Sequence, residues 1–203
     1  AAAYMAKLVW EAVQKVVRAA AEGMDWLQEV AGLLASEDKG VFWETPMGFP
    51  VVNAYYKPKV ERVELFLWDR ALEVPKRVVP RVRVGESEEL MKRKQRSSIS
   101  PNFVHSLDSA HLQRVVLKAV DEGITNFLLV HDSFGCLPSD MGRFSEIVRD
   151  TFIEQYNETD PLFLLYTQAQ QDLSDKSKKK LKEPPAKGTF DINSVANSLY
   201  AFA

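Results

Sequence analysis

The sequence holds one cysteine, Cys136, in 203 residues. That excludes an internal disulfide framework and fits a reducing compartment. With no partner residue for a reactive thiol, Cys136 reads as a small packing residue. Long hydrophobic runs are also lacking: no apolar stretch reaches the length of a spanning helix, so no membrane partner is expected. The Ala-rich start has no basic n-region, and no signal peptide or transit segment is visible. Nor is there an excess of positive charge. Lys and Arg number 26 against 28 Asp and Glu, a formal net charge of −2. Nucleic acid would therefore be bound through local patches, not overall charge. A starting Met is lacking too, so the expectation is a proteolytic, engineered or incomplete piece, or one subunit of a split protein.

What is present is ordinary globular composition, 46% hydrophobic and 27% charged, enough for one sizeable core or one large and one small. Tyr4 to about Ala35 reads as core helix, with Val9, Val13, Val16, Val17 and Ala20 on one face and a break at Gly23. Gly40–Trp43 and Phe49–Val52 read as short strands around a Thr-Pro-Met-Gly turn, with Trp43 a core anchor. Ala110–Glu122, capped by Asp108 or Ser109, reads as a helix in which His111 is structural. Met141–Tyr156 is amphipathic, and Asp160-Pro161 opens another helix. Lys176–Lys182 reads as a mobile solvated linker, and a last helix starts near Asp191. The fold class is α/β (α+β).

Residues 60–84 form a candidate β-hairpin. Val60–Trp68 alternates, and Val78–Val84 returns as its partner, with the tip at Asp69–Lys76. One side (Glu61, Val63, Leu65, Leu67) is mostly apolar, so Arg62 and Glu64 should face away from the core. A two-stranded ribbon can enter a DNA major groove, where Arg and Lys read base edges; the bland alternative is a solvated hairpin. The densest basic stretch comprises Lys76, Arg77, Arg81, Arg83, Lys92, Arg93, Lys94 and Arg96. Glu86–Arg96 within it suits a short exposed helix with Glu88–Lys92 and Glu89–Arg93 pairs. Phosphate contact is the functional expectation there.

Asn126–Val130 is an apolar run bounded by Gly123 upstream and Ser133, Gly135 and Pro138 downstream, the pattern of a buried strand that stops abruptly. His131 and Asp132 stand at its end. A carboxylate there is placed to meet a ligand, and Asp is a hard oxygen donor suited to Mg²⁺ in phosphoryl chemistry. On the residues alone, a strand-terminal Asp that starts a turn is the favoured reading.

Val130-His131-Asp132-Ser133-Phe134-Gly135 resembles motif C of the single-subunit, bacteriophage-type RNA polymerases, a family that includes the mitochondrial enzymes. Upstream, Pro101-Asn102-Phe103-Val104-His105-Ser106-Leu107-Asp108 is similar to the family's P-N-F-hydrophobic-H-S-x-D segment. Tyr4–Glu11, Thr45–Val51, Pro185–Gly188 and the closing Tyr200-Ala201-Phe202-Ala203 match in the same order. Ser133 stands where related DNA polymerases usually carry Glu, which favours the RNA enzymes.

The resemblance implies a right-hand polymerase fold, with residues 1–100 as the end of the fingers and residues 101–203 as the motif C half of the palm. The hairpin becomes the promoter-specificity loop, with Arg62 and Glu64 at base-reading positions and Arg70, Lys76 and Arg77 at its tip. Asp132 becomes a metal ligand for two Mg²⁺ ions shared with a second Asp. His131 orients the carboxylate or primer end, His105 contacts the minor-groove side of the nascent pair, and Phe202 and Ala203 belong to a C-terminal foot near the active site. DNA template and promoter, nascent RNA and NTPs are the implied partners. The implied location is the cytoplasm of a phage-infected bacterium, with virion and mitochondrion as alternatives.

No D-x-S-G-x-Q-like (motif A) or K-x₇-Y-G-like (motif B) segment occurs. The chain is therefore expected to need an N-terminal remainder or a second polymerase subunit. A DNA-binding module without catalysis, and a piece of a related DNA polymerase, are the alternatives.

Overall fold

The computed structural model describes residues 2–69, 73–131, 133–198 and 201. It opens with two helices, α1 (Ala2–Val16) and α2 (Arg18–Ser36). The break falls at Val17, with φ −116° and ψ 55°, not at Gly23. Valines at 13, 16 and 17 are stiff β-branched residues that weaken a helix. One interior glycine costs only about 1 kcal/mol, and α2 recovers that by burying Trp26, Leu27, Val30 and Leu34. The core expectation holds for α2 alone. α1 buries none of its residues, and Tyr4, Met5, Leu8, Val9 and Trp10 are exposed.

Strands β1 (Val41–Glu44) and β2 (Pro50–Asn53) pair antiparallel, as expected. Gly48 takes φ +74° in their turn, a conformation open to glycine without Cβ strain. Trp43 is a core anchor. It is 2% exposed, lies 5.7 Å from the Phe103 ring, and donates from Nε1 to Ser106 Oγ at 3.0 Å. Trp43→Ala should lower the opening free energy of this region by roughly 3–5 kcal/mol, read by native-state hydrogen exchange at neighbouring helix amides. Trp43→Phe should cost much less, because Ser106 Oγ keeps its bond to the Phe103 carbonyl.

The hairpin is longer than its sequence pattern indicates. β3 (Tyr56–Arg62) pairs with β6 (Arg81–Leu90), and beyond them β4 (Leu65–Asp69) pairs with β5 (Val74–Val78). Val63 N donates to Pro80 O at 3.1 Å between the two pairs. Glu86–Leu90 is strand, not the expected exposed helix, because it lies in register with Tyr56 and Pro58. The Glu88–Lys92 and Glu89–Arg93 helix pairs therefore do not form. Glu89 meets Lys57 across the ribbon, and Lys92 reaches Asp38 at 2.8 Å. The ribbon has no core side either: β3, β4 and β5 carry no buried residue.

α3 (Lys92–Asp121) is one helix of 30 residues that runs through Pro101. The expected start at Ala110 is overridden by packing. Ile99 and Phe103 are buried on either side of the proline, so contacts flank the one lost backbone bond and carry the helix past it. Gly123, at φ +86°, ends it as expected, with Ile124 N returning to Ala119 O at 2.9 Å.

β7 (Phe127–Val130) and β8 (Ser133–Cys136) form a two-stranded antiparallel hairpin. The expected buried strand is corrected here: Leu128 and Val130 face outward, and Ser133 and Gly135 belong to the return strand rather than a turn. α4 (Met141–Glu158) and α5 (Pro161–Asp172) follow as expected, the latter capped by Asp160 Oδ1 accepting from Phe163 N at 3.1 Å. The expected solvated linker contains a short α6 (Asp175–Lys178) and is tied to α2. Trp26 Nε1 donates to Lys182 O at 3.0 Å, and the Glu37 carboxylate accepts from Ser174 N at 3.2 Å. The Ser174 and Ser177 hydroxyls hold that carboxyl down to about 2. The expected last helix is a 3₁₀ segment, Ile192–Asn197, docked on α4.

α3 joins two cores. Its first half packs Ile99, Phe103 and Leu107 with α2, β1 and α5. Its end packs Val115 and Ala119 with Phe144, Ile147 and Val148 of α4. Phe127, Phe134 and Cys136 close the second core from the β7–β8 hairpin. All strand pairs among the described residues are antiparallel two-stranded sheets, which is α+β architecture.

Candidate nucleic-acid and metal site

Two elements meet at one cavity. On α3, His105, Asp108, Ser109 and Leu112 stand at intervals of three and four residues, one face of a helix. The β7–β8 link brings His131, whose φ is +55°. A two-residue hairpin link favours positive φ at its first position because that twist matches the strands. These five residues line a cavity of about 530 Å³. A smaller neighbour of about 290 Å³ shares His105 and Ser109, and adds Thr45, Phe49, Asn102 and Gln113. The two sequence-expected histidines, 26 positions apart in the chain, are thus placed around one space.

Asp132 follows His131 directly, but it lies outside the described residues, as do Arg70, Leu199, Tyr200, Phe202 and Ala203. Among the described residues no group of three His, Cys, Asp or Glu converges on a metal position. Among the described residues the cavity wall offers one carboxylate, one serine and two imidazoles. Mg²⁺ takes one or two protein carboxylates and otherwise water and phosphate oxygens. One carboxylate among the described residues is at most part of such a shell.

The other expected contact residues lie apart from the cavity. Arg62, Lys76 and Arg77 are exposed on the ribbon, with Glu64 ion-paired to Arg77. Lys92, Arg93, Lys94 and Arg96 are exposed on the first turns of α3. At 1.5 Å per residue they start about 20 Å along the helix from His105. Lys94 Nζ sits 4.4 Å from the centre of the Tyr55 ring. The ribbon's base is locked to α3 by a polar network. Asn53 Oδ1 accepts from Ser98 Oγ at 2.9 Å and Asn102 Nδ2 at 2.8 Å, and Asn102 Nδ2 also reaches Tyr55 Oη at 2.9 Å.

Asp108, read from sequence as a helix cap, instead lines the cavity from mid-helix, and Ser109 and Leu112 were not singled out as site residues. Their spacing from His105 is the signal, legible once α3 is continuous. Cys136 is partly buried against the second core, and burial pushes its thiol pKa up, the direction of an inert packing residue.

The sequence model of the family described as DNA-dependent RNA polymerase matches residues 1–183. The chain belongs to that family. Among its polymerase relatives, T7 RNA polymerase of Escherichia phage T7 is 38% identical over the whole chain, which covers 24% of that protein. The DNA-directed RNA polymerase of Enterobacteria phage K11 is also 38% identical, with 23% of it covered. An organellar relative, DNA-directed RNA polymerase 3, chloroplastic, of Nicotiana sylvestris, is 34% identical, with 19% covered. The chain thus spans about a quarter of the length of the phage polymerases it matches. No helix among the described residues is long and apolar enough to cross a membrane.

Proposed function

We propose that this chain supplies the motif C half of the active site of a bacteriophage-type RNA polymerase. The reaction is template-directed nucleotidyl transfer, in which an RNA 3′-oxygen attacks the α-phosphorus of an incoming NTP and pyrophosphate leaves. The observation that carries the proposal is the meeting of His105 and His131 at one cavity, with Asp132 the next residue after His131 in the sequence. In this reading Asp132 holds metal, and His131 orients that carboxylate or the primer end. His105 contacts the minor-groove side of the nascent pair. Mg²⁺ held there would supply charge that stabilises the attacking and leaving oxygens. The ribbon of β3–β6 is the promoter-contacting hairpin, and the basic start of α3 meets phosphate. Residues 1–100 then belong to the fingers, residues 101–203 to the palm, and Phe202 and Ala203 to a foot near the site.

The second metal carboxylate, the triphosphate-binding Lys and the ribose-sensing Tyr come from further polypeptide, covalently continuous or a partner chain. The unburied apolar residues of α1 offer that polypeptide a face. The chain by itself should make no template-dependent RNA. Assembled with the polypeptide that carries those groups, it should make RNA from NTPs, DNA and Mg²⁺ in the cytoplasm of the infected host. RNA synthesis by the purified chain alone would overturn the proposal. So would an active assembly whose rate does not depend on this chain.

A further inference from the structure

The β7–β8 hairpin has two strands of four residues, and a ribbon that small does not hold itself in place. Its outward side, Leu128 and Val130, is exposed. Its position is therefore set by the inward side. Phe127 meets Phe144 at 5.8 Å near the base of the hairpin. Phe134, opposite Leu129 and only two positions after Asp132, meets the ring of His111 at 5.5 Å, edge to face.

His111 is built to be rigid. It is 5% exposed and packs edge-on against Phe152 at 5.4 Å. Its Nε2 is 3.0 Å from Val148 O, an atom that can only accept, so Nε2 carries the proton. Thr151 Oγ1, 3.2 Å from the same nitrogen, bonds back to Ile147 O at 2.7 Å. Burial lowers the pKa of this ring, which keeps it neutral at working pH. The ring thus fixes the turn-proximal end of the hairpin to α3 and α4 at once.

We infer that His111 is a positioning residue for the His131–Asp132 turn, acting through the edge of its ring on Phe134. The inference rests on Asp132 being the metal ligand proposed above. It makes the ring, rather than the hydrogen bond to Val148, the part that matters. Val148 O keeps a bond from Thr151 Oγ1 at 3.1 Å when the imidazole is lost, whereas among the described residues no second ring of α3 meets Phe134.

The test uses the assembled polymerase with His111→Gln, His111→Phe, Phe134→Leu and the double variant His111→Gln/Phe134→Leu. Displacement of a reacting group by about 1 Å can cost about 10²-fold in rate. His111→Gln keeps a donor for Val148 but not the ring, and should lower kcat by about 10- to 100-fold with KM for NTP within about twofold. His111→Phe should return kcat to within about threefold of the parent, and the double variant should lose no more than the worse single, since the two rings act as one unit. The inference fails if His111→Gln leaves kcat within about twofold, if His111→Phe is as slow as His111→Gln, or if the two losses multiply. If a variant at 111 does not assemble, Phe134→Leu carries the same kcat and KM readout, and a kcat within about twofold of the parent overturns the inference. Asp132→Asn, run beside them, separates the two ideas. Activity retained by that variant would sink the metal reading, whatever His111 does.

Discussion

Asp132→Asn in the assembled polymerase should lower nucleotide addition by about 10³-fold or more while promoter binding stays within about twofold. Asn has nearly the shape of Asp and accepts turn conformations as readily, so the substitution removes charge and leaves backbone preference alone. A metal-held charge at a phosphoryl centre contributes several kcal/mol to the transition state, and about 4 kcal/mol is a factor near 10³. The position of Asp132 in the sequence, next to His131, favours this large effect. The link between Val130 and Ser133 is two residues long, and His131 within it lines the cavity that holds His105. Single-turnover extension of a primed template gives the rate, and a gel-shift on promoter DNA gives the binding. Retained synthesis would return Asp132 to a turn residue. Lost binding with unchanged extension would favour a DNA-binding module.

The candidate site residues stand out in the sequence because they are chemical; the elements that carry them were less legible. His105, His131 and Asp132 stand out by type and order, and Trp43 and His111 took the structural roles their surroundings indicate. Local signals failed where long-range packing decides. Pro101 and the Asp108-Ser109 cap signal both argue for a helix boundary that α3 does not have, since Ile99 and Phe103 are held from outside the helix. Glu86–Leu90 has helical charge spacing, but strand β3 was already waiting for it. Gly23 mattered less than the valines at 16 and 17, because α2 has a buried face to hold it together and α1 has none. Asn102 sits within the P-N-F-V-H segment and invites a nucleic-acid reading. Its amide is instead spent on Asn53 and Tyr55, at the base of the ribbon.

That base makes the ribbon a separable part, which leads to the second large effect. Replacement of Leu65–Val78 by an Asn-Gly turn should lower promoter-dependent initiation by about 10²- to 10³-fold, while extension of a primed, promoter-free template stays within about twofold. If the ribbon reads bases as proposed, two lost contacts at about 1–3 kcal/mol each would account for the fall. The folded body should not notice the loss. Phe66 is 69% and Trp68 is 65% exposed, so no core is opened by their removal. The inner pair, β3 with β6, keeps its register from Tyr56–Leu90 to Arg62–Arg81. Within the ribbon, Arg77 is already paired with Glu64. Such an exposed pair is worth less than about 1 kcal/mol, so it can open without much cost when a base or phosphate offers itself. Arg77→Ala should then weaken promoter binding by about 10-fold or more, and Glu64→Gln should change it by less than about threefold. Initiation from promoter and primed templates, measured side by side at fixed salt, separates recognition from chemistry. An equal fall on both would mean that the ribbon supports the catalytic body instead of reading DNA. Its lock onto α3 through Asn53, Ser98 and Asn102 would then be the first place to look for the cause.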